Sequence, residues 1–121
     1  NGRVQVFDED GNYLHEWSFW KGRRGQPQDI HSFIVTSDQK LWAADQGTHK
    51  ILGYDLEGHY IYSWGSWGDY PGGMWGVHGM STDNEGNFYT ASVNNGRIQK
   101  FRPREGANPD FMVGKPWPGV W

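Results

Sequence analysis

His31 and His78 stand 47 residues apart in similar settings, His31-Ser32-Phe33 and His78-Gly79-Met80. A neutral imidazole is a borderline-soft donor to transition metals, and it also exchanges protons near neutral pH. Asp29, two residues before His31, is placed to orient that ring through a carboxylate–imidazole hydrogen bond. The same spacing also serves simply to close a loop into a strand. A second cluster is aromatic: Trp67, Tyr70 and Trp75 alternate with glycines in Trp64-Gly65-Ser66-Trp67-Gly68-Asp69-Tyr70-Pro71-Gly72-Gly73-Met74-Trp75. Flat rings on such a connection form an aromatic wall able to stack on a peptide or a sugar. His15, His49 and His59 fall in an outer strand or beside turns, where a solvent-facing position is expected. No Ser-His-Asp arrangement or pair of catalytic carboxylates can be assembled, and Gly22-Arg23-Arg24-Gly25 lacks the lysine-serine signature of a phosphate loop. Arg102-Pro103-Arg104 reads as a solvated basic spot.

Composition narrows the field further. With 11 Lys plus Arg against 14 Asp plus Glu the net charge is −3, which argues against a nucleic-acid or anionic-membrane partner. No apolar run approaches the ~20 residues of a membrane span. The absence of Cys removes disulfide frameworks and thiolate chemistry together. Eighteen glycines without a collagen period, with 17% aromatic residues, describe a chain of short strands and many turns. The composition predicts an all-β protein.

The elements that must hold these side chains come from an internal repeat. In a frame of 47 residues Asp8 falls on Asp55, Gly11 on Gly58, Tyr13 on Tyr60, Trp17 on Trp64, and Trp20 on Trp67. Gly25 falls on Gly72, His31 on His78, Ala44 on Ala91, and Ile51 on Ile98. Tyr70 and Trp75 face Arg23 and Gln28, so they do not recur as aromatics and are the better candidates for ligand contact. Trp17 and Trp64 do recur, which predicts packing between neighbouring units. Period-two alternation in Val4-Gln5-Val6-Phe7, Tyr60-Ile61-Tyr62 and Ile98-Gln99-Lys100-Phe101 marks strands with one apolar side. Within the middle unit, strands are expected over 30–36, 40–44, 50–54 and 59–64. Asp8-Glu9-Asp10-Gly11 and Asp55-Leu56-Glu57-Gly58 read as hairpin turns with Gly at positive φ.

Four strands in a repeat of this length is the sequence form of a β-propeller blade. Residues 1–20 supply the outer strands of a first blade, 27–67 a complete blade, 74–102 the inner strands of a third, and 103–121 a loop-like tail. The expectation is therefore about two and a half blades of a partial propeller. Open strand edges must be covered. Either further blades complete the ring, or copies of the chain associate head-to-tail, with a trimer favoured and a dimer as the fallback.

The phrases Asn1-Gly2-Arg3-Val4-Gln5-Val6-Phe7-Asp8, Leu41-Trp42-Ala43-Ala44-Asp45, Asn87-Phe88-Tyr89-Thr90-Ala91 and Asn95-Gly96-Arg97-Ile98-Gln99-Lys100-Phe101 resemble the NHL repeat. The stretch from Trp64 to Arg97 is similar to bacterial NHL proteins of the peptidyl-α-hydroxyglycine amidating-lyase type. That resemblance implies a six-bladed propeller and a metal-dependent lyase site at the central pore. It also implies zinc, held by innermost-strand histidines, which in this sequence are His78 and His31. Calcium is a possible second ion, a peptide-like small molecule the substrate class, and a periplasmic or secreted location the setting. The sequence departs from the family where Val77 and Ile30 replace a proline before each His. Ser32 and Gly79 stand where a calcium-binding Asp would follow, and no Tyr comes after Asp45 or Ser92. The competing reading is a non-enzymatic propeller scaffold that binds a protein, peptide or glycan. A self-assembling fragment is a third.

Overall fold

A computed structural model describes residues 2–19 and 29–118. The expectations for Asn1, Trp20, Gly25, the Gly22-Arg23-Arg24-Gly25 run and residues 119–121 lie outside the described residues. The described chain is all-β. Its nine strands are β1 (Arg3–Phe7), β2 (Tyr13–Ser18), β3 (Ile30–Val35), β4 (Lys40–Asp45), β5 (Lys50–Asp55), β6 (Tyr60–Trp64), β7 (Val77–Thr82), β8 (Phe88–Ser92) and β9 (Arg97–Phe101). They form three antiparallel sheets, ordered β1-β2, β3-β4-β5-β6 and β7-β8-β9.

The three sheets lie face against face, and the alternation of side chains explains why. On β4, Leu41 and Ala43 point to one side, where they pack with Leu52, Tyr54 and Phe19. Trp42 and Ala44 point to the other, with Ile51, Met74, Val77 and Phe88. The middle sheet is thus buried on both faces, so its central strands read as continuous apolar runs rather than alternating ones. Between sheets the recurring tryptophans act as wedges. Trp17 of β2 lies 5.2 Å from Tyr54 of β5 and donates its indole N–H to the Leu56 carbonyl at 3.1 Å. One repeat later, Trp64 of β6 lies 4.8 Å from Phe101 of β9 and 5.4 Å from Phe88 of β8. Two glycines make room for rings. A Cβ on Gly53 would come within 2.8 Å of the Trp42 indole, and one on Gly58 within 2.5 Å of Trp17.

Turns at one end of the sheets share a single device. Asp8, Asp55 and Asp83 each accept, through one carboxylate oxygen, the backbone N–H groups two and four residues on. Each also takes a bond from the side chain of the latter residue: Asn12, His59 or Asn87. Gly11, Gly58 and Gly86 supply the positive φ in these turns. His59, expected in a strand, belongs to this turn instead because its ring is tied back to Asp55. Thr36, also expected in a strand, forms only an isolated bridge to Pro116.

That bridge belongs to the tail, which is loop apart from it and one short 3-10 turn, and which docks on the second sheet. After a short 3-10 turn (Pro109–Phe111), Phe111 stacks on Tyr62 at 4.9 Å and Val113 packs against the core. The Lys40 ammonium donates to the Asp110 carbonyl at 3.1 Å, and the Ser37 N–H donates to that of Lys115 at 3.0 Å. The tail therefore straps the third sheet to the second.

The aspartate turns carry a pH dependence. The Asn87 amide holds the Asp83 carboxyl well below the usual range, and Asn12 lowers Asp8 in the same way. At Asp55 partial burial works upward, but the bonds from His59 and Glu57 outweigh it and the net shift is down. Folded values below the unfolded one mean stability that is complete above the unfolded carboxylate pKa of about 3.9. It is lost as pH falls through the folded values. Urea midpoints should hold steady toward neutrality and fall with acidification, and Asp83→Asn should flatten that fall. A midpoint unchanged between about pH 5 and about pH 2 would contradict this assignment.

Candidate functional site

The end of the sheets opposite the aspartate turns gathers most of the residues singled out for chemistry. In antiparallel order the starts of β3, β5, β7 and β9 and the ends of β4, β6 and β8 all lie there. The inner strands β3 and β7 run beside one another. His31 and His78 meet at this place, with ring centroids 4.3 Å apart and planes inclined at 60°.

Local backbone geometry explains why both rings leave the core. Ile30 pairs with Asp45 and Ser32 with Ala44, so His31 is an extra residue in β3 with no partner on β4. Val77 pairs with Ser92 and Gly79 with Ala91, so His78 is the extra residue in β7. Each is a β-bulge, a device that re-aims one side chain at a sheet rim. Sequence reasoning finds the histidines but not the bulges. The available signal was Gly76 and Gly79 around His78, since glycine within a strand pattern marks such irregularities.

The surroundings of the two rings differ. Asp29 Oδ2 lies 3.1 Å from His31 Nε2, while His31 Nδ1 is buried without a hydrogen-bond partner among the described residues. Asp29 is itself fixed: its N–H donates to Asp45 Oδ1 at 3.0 Å, and its carbonyl accepts the Gln46 N–H at 2.8 Å. Buried Asp45 also accepts the N–H and hydroxyl of Thr48. One repeat later Gly76 takes the place of Asp29, its carbonyl accepting the Val93 N–H at 2.8 Å. His78 has no such carboxylate two residues before it, and it is exposed.

Zinc requires three or four protein donors in a compact set. Among the described residues no group of three or more His, Cys, Asp or Glu is arranged to hold a metal. Residues 1, 20–28 and 119–121 contain none of these four types.

The aromatic connection is built more rigidly than its glycines suggest. Trp67 bridges to Met74, which is buried, and the Met74 N–H donates to the Ser66 carbonyl at 2.9 Å. Gln99 of β9 clamps the far side. Its amide donates to the Gly73 carbonyl at 2.8 Å and its carbonyl accepts the Gly72 N–H at 2.7 Å. Asp69 accepts from Asn95 at 3.2 Å and lies 3.6 Å from the Arg97 guanidinium. The result displays Trp67 at 60% exposure and Tyr70 at 50%, while Trp75 is partly buried with its ring 6.1 Å from that of Trp67. His49 flanks Trp67 at 6.4 Å and is only partly exposed, because residues of the loop and β7 crowd it. Gln99 was missed at the sequence level, where it looked like one polar member of an alternating strand.

Two concavities adjoin the histidines. A cleft of about 380 Å³ is lined by residues 2–5, Phe19 and residues 29–33. A more apolar groove of about 730 Å³ runs along β3 and β7 from Ser32 and Gly79, passing Phe33 and Met80, to Pro116 and Trp117. No protein-family model matches the chain, and no curated protein matches it.

The Gln99 clamp gives a local prediction. Gln99→Ala removes two bonds from the connection without touching the core. It should cost about 1–2 kcal/mol and speed hydrogen exchange at the Gly72 amide selectively. Unchanged exchange at Gly72 would show that the connection is held by something else.

Proposed function

We propose that this chain is part of an NHL-type β-propeller that works as a binding scaffold for a peptide-like ligand. The observation that carries the reading is the groove along β3 and β7. Its volume lies within the ~300–1,000 Å³ of small-molecule sites. It is lined mainly by apolar side chains, with Phe33 and Trp117 well exposed. The two bulged histidines stand where the groove begins, so an apolar segment along the strands would meet imidazole at one end. The β3–β7 neighbourhood is the one that innermost strands of adjacent propeller blades would have.

The zinc-lyase reading stands second, favoured by the convergence of His31 and His78 on one another. It needs at least one further donor from outside this chain. The Asp29–His31 bond supports either reading, since it fixes a ring whether the other nitrogen meets a metal or a ligand's polar group.

A peptide library screened for quenching of tryptophan fluorescence, with Trp117→Phe as the control that isolates its share among the eight tryptophans, tests the first reading. Apolar peptides with one polar terminus should bind, and His78→Ala and Phe33→Ala should each weaken binding by about tenfold. Metal analysis of the same preparation tests the second. Stoichiometric zinc that is lost in His78→Ala would reverse the ranking, and binding indifferent to Phe33→Ala would remove the groove as the site.

A further inference from the structure

The third sheet ends in an open edge. Among the described residues β9 pairs with β8 on one side only, and the chain that follows it departs to strap the second sheet. On this edge strand Ile98 is 78% exposed, the highest value among the exposed large apolar residues. Unpaired strand edges of this kind template pairing with another strand.

The sequence of β9 indicates which strand would fit. Arg97-Ile98-Gln99-Lys100-Phe101 repeats β1, Arg3-Val4-Gln5-Val6-Phe7, with the same Arg, Gln and Phe in the same places. β1 already has a partner: Arg3 faces Ser18, Val4 faces Trp17 and Gln5 faces Glu16 of β2. The pairing is held by an ion pair of 3.3 Å from Arg3 Nε to Glu16. In the third sheet the Arg97 guanidinium lies 3.6 Å from Asp69 through Nη2, while its Nε is buried with no hydrogen-bond partner among the described residues.

We infer that β9 of one copy pairs with β2 of a second copy, taking the place of that copy's own β1. The exchange replaces like with like. Arg97 answers Glu16 as Arg3 does, and Ile98 covers Trp17 as Val4 does. The backbone pairing and the cover over Trp17 lost on releasing β1 are therefore regained, and burial of the β9 edge and of Ile98 is added; the Gln5–Glu16 bond is not replaced, because Gln99 holds Gly72 and Gly73. This is the near-balanced trade that makes strand exchange a low-cost route to association. The contact also sets β7 of one copy beside β3 of the next, repeating the β3–β7 relation within a copy. The cleft between residues 2–5 and β3 lies where that strand would enter. Because the two surfaces differ, the contact is head-to-tail and closes only as a ring.

The inference is independent of what the groove binds. Its test is sedimentation velocity on the full chain across a concentration series, for the wild type, Ile98→Asp and Ile98→Val. Because Ile98 is so exposed, both variants should keep the wild-type circular dichroism. The wild type should sediment as a multiple of 13.9 kDa. Ile98→Asp should raise the dissociation midpoint by about tenfold or more, and Ile98→Val should stay close to the wild type. A wild type that remains a monomer throughout overturns the inference. So does an assembly indifferent to Ile98→Asp, which would place the contact elsewhere.

Discussion

An indole near the end of the outer strand of the first sheet, and another at the end of that of the second, lies against an aromatic ring of the next sheet, and these contacts set how the sheets stand against one another. Trp17 does so on Tyr54, and Trp64 on Phe101 and Phe88. Neither wedge stands alone, since each adjoins one of the two buried clusters on the faces of the middle sheet. An isolated sheet of four short strands could not bury both of its faces. Here the faces of β4 and β5 are dry because a neighbour is held against each. Trp42, fully buried over Gly53, fills the space that this spacing leaves.

The candidate site depends on that packing at one remove. β3 and β7 belong to different sheets, so the 4.3 Å approach of His31 and His78 exists only while those sheets are held side by side. The bulges turn the rings out of their strands, and the inter-sheet contact brings them together. The Asp45 network fixes the loop carrying Asp29, and the Gln99 clamp fixes the connection carrying Trp67 and Tyr70. A preorganised surface of this kind loses less conformational entropy on binding.

Much of the fold was legible in the sequence because period-two alternation and the 47-residue frame report the same geometry. Trp17 and Trp64 could be assigned to packing because they recur, and Tyr70 could be separated from them because it does not. The bulge at His31 was not legible, and that at His78 was marked only by the glycines around it. A bulge is a property of two paired strands, and the residue beside His31 is Ser32, which carries no conformational signature. The tail was also beyond reach, because Phe111, Val113 and Pro116 dock on partners some 50 to 80 residues earlier, Tyr62 and Thr36 among them. Lys40 likewise carries no mark in the sequence of its bonds to the tail, where its ammonium donates to the Asp110 and Met112 carbonyls. At the candidate site, the sequence supplied the histidines and Asp29, but only the structure shows that among the described residues no group of three such donors is arranged to hold a metal.

A double-mutant cycle on Trp64 and Phe101 tests the wedge most directly. Urea unfolding of Trp64→Ala, Phe101→Ala and the double variant gives their coupling energy. If the ring contact joins the second and third sheets, Trp64→Ala alone should cost about 3–5 kcal/mol. The coupling should reach about 1 kcal/mol or more. Single-variant losses that add to within ~0.5 kcal/mol would contradict the account, because the two rings would then be stabilising their own sheets and not each other.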